Sequence, residues 1–243
     1  MQQDHNKVAL VFGGSRGIGA SIVRRLATDG YRTAFTYVSS EGAARDLAAG
    51  IGADGGTALA IRADSAEPRD IANAVTRTTE QFGRIDAVVV NAGLFRMAPV
   101  DTVTLEDLDA MLAVNVRGVF LAIQAAAGAM NDGGRVVTIG SNVAIHTGMA
   151  GASVYQFTKA AVAAMVKGIA LDLAPRAITV NNVQPGPTDT DLNAGALDLL
   201  AERSPLKRVA SPDEIAGLVA YLLRDEAGYM TGSSVTIDGG FTL

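Results

Sequence analysis

The chain has 243 residues, of which 49% are hydrophobic and 19% charged, with a formal net charge of −5. This composition excludes a disordered chain, the acidic balance argues against a nucleic-acid partner, and the length suffices for a large core. There is no cysteine and only two histidines, His5 and His146, so disulfides, thiolate catalysis and a Cys- or His-built metal centre are not expected.

Residues 7–12 are a short apolar run, followed by a glycine-rich turn and a helical pattern over 17–28. Residues 32–38 read as a second strand, 41–53 as a helix and 58–62 as a third strand. Pro68 opens the next helix at a first-turn position, and Asp86 to Val90 form a fourth strand. Residues 105–130 read as one helix, with Thr104 and Asp107 as a capping box. Residues 134–139 are a fifth strand, 153–173 a helix and 178–183 a sixth strand. Ser211, Pro212 and Glu214 set an N-cap, an N1 proline and an N3 acid for a helix ending near Leu223, and 234–237 close as a seventh strand.

Strands alternating with helices predict an α/β fold: a doubly wound parallel sheet with helices on both faces. No linker or repeat interrupts it, so one domain is expected over 1–243. The polar N-terminus lacks the apolar stretch of a secretory signal, and no run is apolar throughout the length of a membrane span, so a cytoplasmic protein is expected.

Such sheets bind ligands at the carboxyl ends of their strands, which directs attention to what stands there. The first strand runs into Gly13-Gly14-Ser15-Arg16-Gly17-Ile18-Gly19, a strand–turn–helix context that suits a pyrophosphate at a helix N-terminus. The alternative is a tight turn with glycine needed only for packing. The fourth strand ends in Asn91-Ala92-Gly93, and the sixth runs into Pro185-Gly186-Pro187-Thr188-Asp189-Thr190; either is also compatible with a plain chain reversal. Tyr155 and Lys159 are one helical turn apart on one face, so a phenol and an ammonium share a site. A nearby cation lowers a phenol's pKa and makes it a usable proton donor and acceptor.

With these residues the chain resembles the short-chain dehydrogenase/reductase family, over essentially its whole length to Asp238-Gly239-Gly240. The motifs that carry the resemblance are the glycine loop, Asn91-Ala92-Gly93, Asn115, Ser141 with Tyr155 and Lys159, and Pro185-Gly186. The resemblance implies a Rossmann-type fold and an NAD(P)-dependent oxidoreductase with the tetrad Asn115, Ser141, Tyr155 and Lys159. Tyr155 would be the general acid–base and Ser141 would hold the substrate oxygen. Lys159 would bind the nicotinamide ribose and lower the Tyr155 pKa, while Asn115 would position a water. The cofactor would rest on Gly13, Ser15, Arg16, Gly17, Ile18 and Gly19, on Tyr37, Ser39 and Ser40, on Asp64 and Ser65, on Asn91, Ala92 and Gly93, and on Pro185, Gly186, Thr188 and Thr190. Three departures stand out. Phe12 and Val90 replace the family's usual Thr and Asn, which predicts a looser link between the loop and the fourth strand. Ser141 and Tyr155 are one residue further apart than usual.

Cofactor choice is read at the end of the second strand. Tyr37, Val38, Ser39 and Ser40 offer hydroxyls and no carboxylate there, and Arg16 supplies a cation, so NADPH is expected over NADH. Asp64 is assigned to the adenine. The substrate is expected to be a hydrophobic carbonyl or alcohol, lined by Leu94, Phe95, Val143, Ile145, Met149 and Leu192, with Arg96 available for an anionic group. A mobile segment around 188–205 would cover it. Ala-rich helices suggest a homotetramer. The loop and the 184–191 run are also similar to those of a 3-oxoacyl-carrier-protein-reductase-like bacterial subgroup that includes cyclic-di-GMP-binding biofilm-dispersal mediators. That implies the alternative of a regulatory nucleotide-binding protein.

Overall fold

The computed structural model describes residues 7–243; His5 and the polar N-terminus lie outside them. Seven parallel strands form one sheet in the order β3-β2-β1-β4-β5-β6-β7. They are β1 (Val8–Phe12), β2 (Arg32–Tyr37), β3 (Ala58–Arg62), β4 (Ile85–Val90), β5 (Met130–Ile139), β6 (Thr179–Pro185) and β7 (Ser234–Ile237). The helices are α1 (Gly17–Thr28), α2 (Glu41–Ala53), α3 (Pro68–Phe82), α4 (Leu105–Leu112), α5 (Val119–Ala127), α6 (Ser153–Leu173), α7 (Leu197–Arg203) and α8 (Pro212–Leu222).

Strand side chains alternate between faces, and both faces here are apolar, so the sheet carries a core on each side. Leu10 and Phe12 point into a cluster with Ile71 of α3, Ile123 of α5 and Val166 of α6. Ala9 and Val11 point the other way, against Ile22 and Leu26 of α1, Leu47 of α2 and Val219 of α8. The Ser211 capping box is complete: its side chain accepts from the Glu214 amide, and the Glu214 side chain accepts from the Ser211 amide. At Thr104 only half the expected box forms. Its side chain accepts from the Asp107 amide, but the Asp107 carboxylate is drawn to Arg96 instead.

The expected helix over 105–130 is not uniform. Between α4 and α5 the backbone widens into a π segment, Ala113–Gly118, and the helix stops at Ala127 because Met130 joins β5 opposite Ile85. The helical run Leu105–Ala127 is long and apolar enough to cross a membrane by length and composition, but its Met111, Val119, Ala122, Ile123 and Ala126 are buried within the fold. The order of the strands reverses between β1 and β4, whose ends lie level, with Phe12 opposite Val90. That is the switch point at which open α/β sheets take ligands.

Candidate active site

The glycine loop and the Asn91 turn leave the sheet side by side. The Asn91 and Ala92 amides both donate to the Phe12 carbonyl, at 3.0 and 2.9 Å. Asn91 Nδ2 donates to the Gly13 carbonyl at 2.7 Å, and Gly13 N donates to Thr36 Oγ1 at 2.9 Å. The link expected to be loose is therefore made one residue later, by Asn91, with Thr36 of β2 as a second anchor that the sequence pattern does not reveal. Glycine is required here by contact: a Cβ on Gly13 would lie 2.7 Å from the Ala92 Cα, and one on Gly19 would overlap the Gly13 carbonyl. Gly17 also has φ of +52°, a region that strains other residues. Arg16 stands at the N-cap of α1 without a side-chain capping bond, and the first turn holds no acid. The leading amides, from Gly17, Ile18 and Gly19, thus meet neither a side-chain cap nor a first-turn acid, as a pyrophosphate site would need.

The four tetrad residues arrive from separate elements. Asn115 lies in the π segment and is fully buried. Its carboxamide is committed: Oδ1 accepts from Leu94 N at 2.7 Å, and Nδ2 donates to the Leu94 carbonyl at 2.8 Å and to Thr158 Oγ1 at 3.2 Å. Its side chain therefore clamps the chain after Gly93. Ser141 follows β5 in extended backbone and caps the 3₁₀ turn Asn142–Ala144. The Ser141 hydroxyl still bonds the Tyr155 phenol. Lys159, 4% exposed, donates to the Ile139 carbonyl at 2.9 Å, and its Nζ lies 5.6 Å from the Tyr155 ring centroid.

The electrostatics depart from expectation. Burial pushes the Tyr155 phenol up to about 12, and the opposing Ser141 bond does not offset it. Burial also brings Lys159 down to about 8. Thr158, one residue before Lys159, links the tetrad: it receives Asn115 Nδ2 and donates to the Tyr155 carbonyl at 2.7 Å.

At the far end of the crevice, Tyr37 pairs with Arg62, and Ala63 N donates to the Tyr37 carbonyl, which brings Asp64 beside the end of β2. Asp64 Oδ1 accepts from Ala66 N at 2.8 Å. Ser65 rests its carbonyl on Gly118 of the π segment, where a side chain would overlap it, and Arg117 donates to the Ala66 carbonyl at 2.9 Å. Ser39 is exposed, and Ser40 sits at the N-cap of α2 without using its hydroxyl to cap. Arg16 has its guanidinium 3.9 Å from the Asp191 carboxylate, both side chains largely exposed.

Beyond β6, the Gly186 amide donates to the Ile237 carbonyl at 2.9 Å. Thr188, expected to meet the cofactor, turns its hydroxyl back onto the Gly186 carbonyl at 3.0 Å and is buried. Thr190 packs over Gly17. Asp238, unassigned by the sequence reading, ties this region together. Its carboxylate accepts from Gly240 N and Thr242 N at 3.0 Å each, from Thr242 Oγ1 at 2.8 Å and from Asn142 Nδ2 at 3.4 Å. Of the expected lining residues, Phe95 meets Tyr155 directly, Ile145, Met149 and Leu192 are exposed, and Arg96 is taken by Asp107.

Residues 13–242 match a family model described as enoyl-(acyl carrier protein) reductase. A solved short-chain dehydrogenase/reductase from Serratia marcescens is 50% identical, with a TM-score of 0.95 and 98% of each chain covered. A short-chain dehydrogenase from Burkholderia cenocepacia, solved in complex with NADP, is 46% identical, with a TM-score of 0.96 and 100% of both chains covered. The cyclic-di-GMP-binding biofilm dispersal mediator protein of Escherichia coli is 41% identical over 97% of each chain. With the switch-point crevice, the glycine loop and the Ser141–Tyr155–Lys159 grouping already in place, these likenesses make the chain a member of the short-chain dehydrogenase/reductase family, an oxidoreductase by kinship.

Proposed function

We propose that the protein reduces a ketone to a secondary alcohol with NADPH. The observation that carries this reading is the buried meeting of Ser141, Tyr155 and Lys159 beside a glycine loop whose helix amides are uncapped. The residues fit the cofactor: glycines 13, 17 and 19 keep the loop clear of side chains, and Arg16 with Ser39 and Ser40 offers a cation and hydroxyls to a 2′-phosphate. NADPH, when bound, supplies the hydride to the carbonyl carbon.

Ser141 holds the substrate oxygen, and Tyr155 donates its proton to it. The C=O bond thereby gains one hydride and one proton and becomes CH–OH. A phenol held near 12 is neutral at physiological pH, the state a proton donor needs. Lys159 stabilises the phenolate left behind and binds the ribose hydroxyls. The segment 188–205 covers the substrate, and Thr190 over Gly17 and Asp191 beside Arg16 are its contacts with the cofactor loop. The same reading extends to a cytoplasmic protein that assembles as a homotetramer; exposed Phe120 and Phe157 on α5 and α6 support self-association.

Replacing Tyr155 by Phe removes only the hydroxyl, so turnover of a ketone panel should fall by at least ~10²-fold while NADPH binding persists. Turnover near wild type would refute the role. A second reading, regulatory binding of cyclic-di-GMP, draws on the Escherichia coli relative. It predicts cyclic-di-GMP binding to purified protein with no carbonyl reduction, so calorimetry beside the ketone assay separates the two.

A further inference from the structure

The chain after Gly93 is strapped at three points. Asn115 holds both main-chain groups of Leu94, the guanidinium of Arg96 pairs with Asp107, and Ala98 N donates to the Gly151 carbonyl at 3.0 Å. Between the first two straps stands Phe95, half-buried, with its ring edge-on to the Tyr155 ring at 4.7 Å between centroids and 78° between planes. The Tyr155 hydroxyl also bonds Ser141, so the Phe95 ring stands beside the residue that would meet a carbonyl oxygen.

We propose that Phe95 is a specificity-determining residue, a fixed aromatic wall that selects ketones bearing a flat aryl group on the carbonyl carbon over saturated ketones of the same size. The inference rests on the reductase reading and adds the substrate class. Three observations carry it. The wall is preorganised, because the residues on either side of Phe95 are tied to α4 and to the π segment, so it discriminates by shape instead of moving aside. Its surface is a π face and edge, and an aromatic partner gains over a saturated ring of equal area by up to about tenfold in binding. The cation next to Phe95 in the chain, Arg96, is engaged by Asp107, which disfavours its pairing with a carboxylate or phosphate on a substrate at this wall.

The test compares acetophenone with cyclohexyl methyl ketone, which differ in the flatness of the ring and little in size. Wild type should reduce acetophenone with the higher kcat/KM. Phe95→Ala should bring the ratio of the two kcat/KM values down about tenfold. Phe95→Leu, which keeps most of the volume, should lower the ratio as well, and Phe95→Tyr should restore it. The KM for NADPH should stay unchanged in all three. Equal losses on both ketones would make Phe95 a mere support for Tyr155, and an unchanged ratio, or a wild type preferring the saturated ketone, would equally overturn the assignment. A wild type that binds NADPH and reduces neither these nor any other carbonyl would overturn the reductase reading itself, an outcome distinct from a changed ratio.

Discussion

Replacing Lys159 by Met should make the protein more stable at neutral pH while abolishing its activity. Lys159 is buried, and burial alone takes its pKa from 10.5 to about 8. Between those values the folded protein binds fewer protons than the unfolded chain, so stability rises with pH through that window, and below about 8 the penalty for the buried charge is complete. At roughly 1.4 kcal/mol per pH unit, the penalty is about 3 kcal/mol. Met keeps the apolar stem and removes the charge, but it also removes the bond to the Ile139 carbonyl, worth about 1 kcal/mol net. The variant should therefore be about 2 kcal/mol more stable than wild type at pH 7 and about 1 kcal/mol less stable above pH 10.5. The chain has no tryptophan, so urea unfolding is followed by far-UV circular dichroism, at one protein concentration and without cofactor. A difference in stability that holds constant from pH 7 to 10.5 would show that Lys159 carries no desolvated charge and would refute the argument.

Two further outcomes follow from the cofactor loop. Arg16→Ala should raise the KM for NADPH far more than that for NADH, because the pair with Asp191 is exposed and weak and leaves the guanidinium available to a phosphate; equal changes in steady-state kinetics would remove Arg16 from the specificity site. Gly19→Ala should abolish NADPH binding measured by fluorescence titration, because the added methyl overlaps the Gly13 carbonyl and would lie 2.7 Å from Asn91 Nδ2; wild-type affinity would show that the loop yields.

The sheet was readable because its strands are near-continuous apolar runs, and α1, α2 and α6 begin and end where the periodicity does. Errors gathered where tertiary contact decides. The π segment has the same apolar pattern as a regular helix, and what accompanies its widening is the approach of the Ser65 carbonyl to Gly118, a long-range contact. Met130 reads as the last residue of a helix, with the strand starting only at 134, yet Met130 is a strand residue because Ile85 pairs with it. The short α7 buries none of its residues and leaves no periodic trace. In the site, the side chains were legible through motif spacing, whereas their protonation was not. A Tyr and a Lys one turn apart predict a lowered phenol, and only the depth of burial in the fold reverses that sign.

The Asp238 knot has a practical corollary for handling the protein. Thr242, one residue from Leu243, is held by the same carboxylate that bonds Asn142, the neighbour of Ser141. A purification tag or fusion partner appended after Leu243 would thus pull directly on the loop that carries a catalytic candidate. Lys7, by contrast, stands at the amino-terminal end of β1, between β2 and β4, at the opposite ends of the strands from that loop.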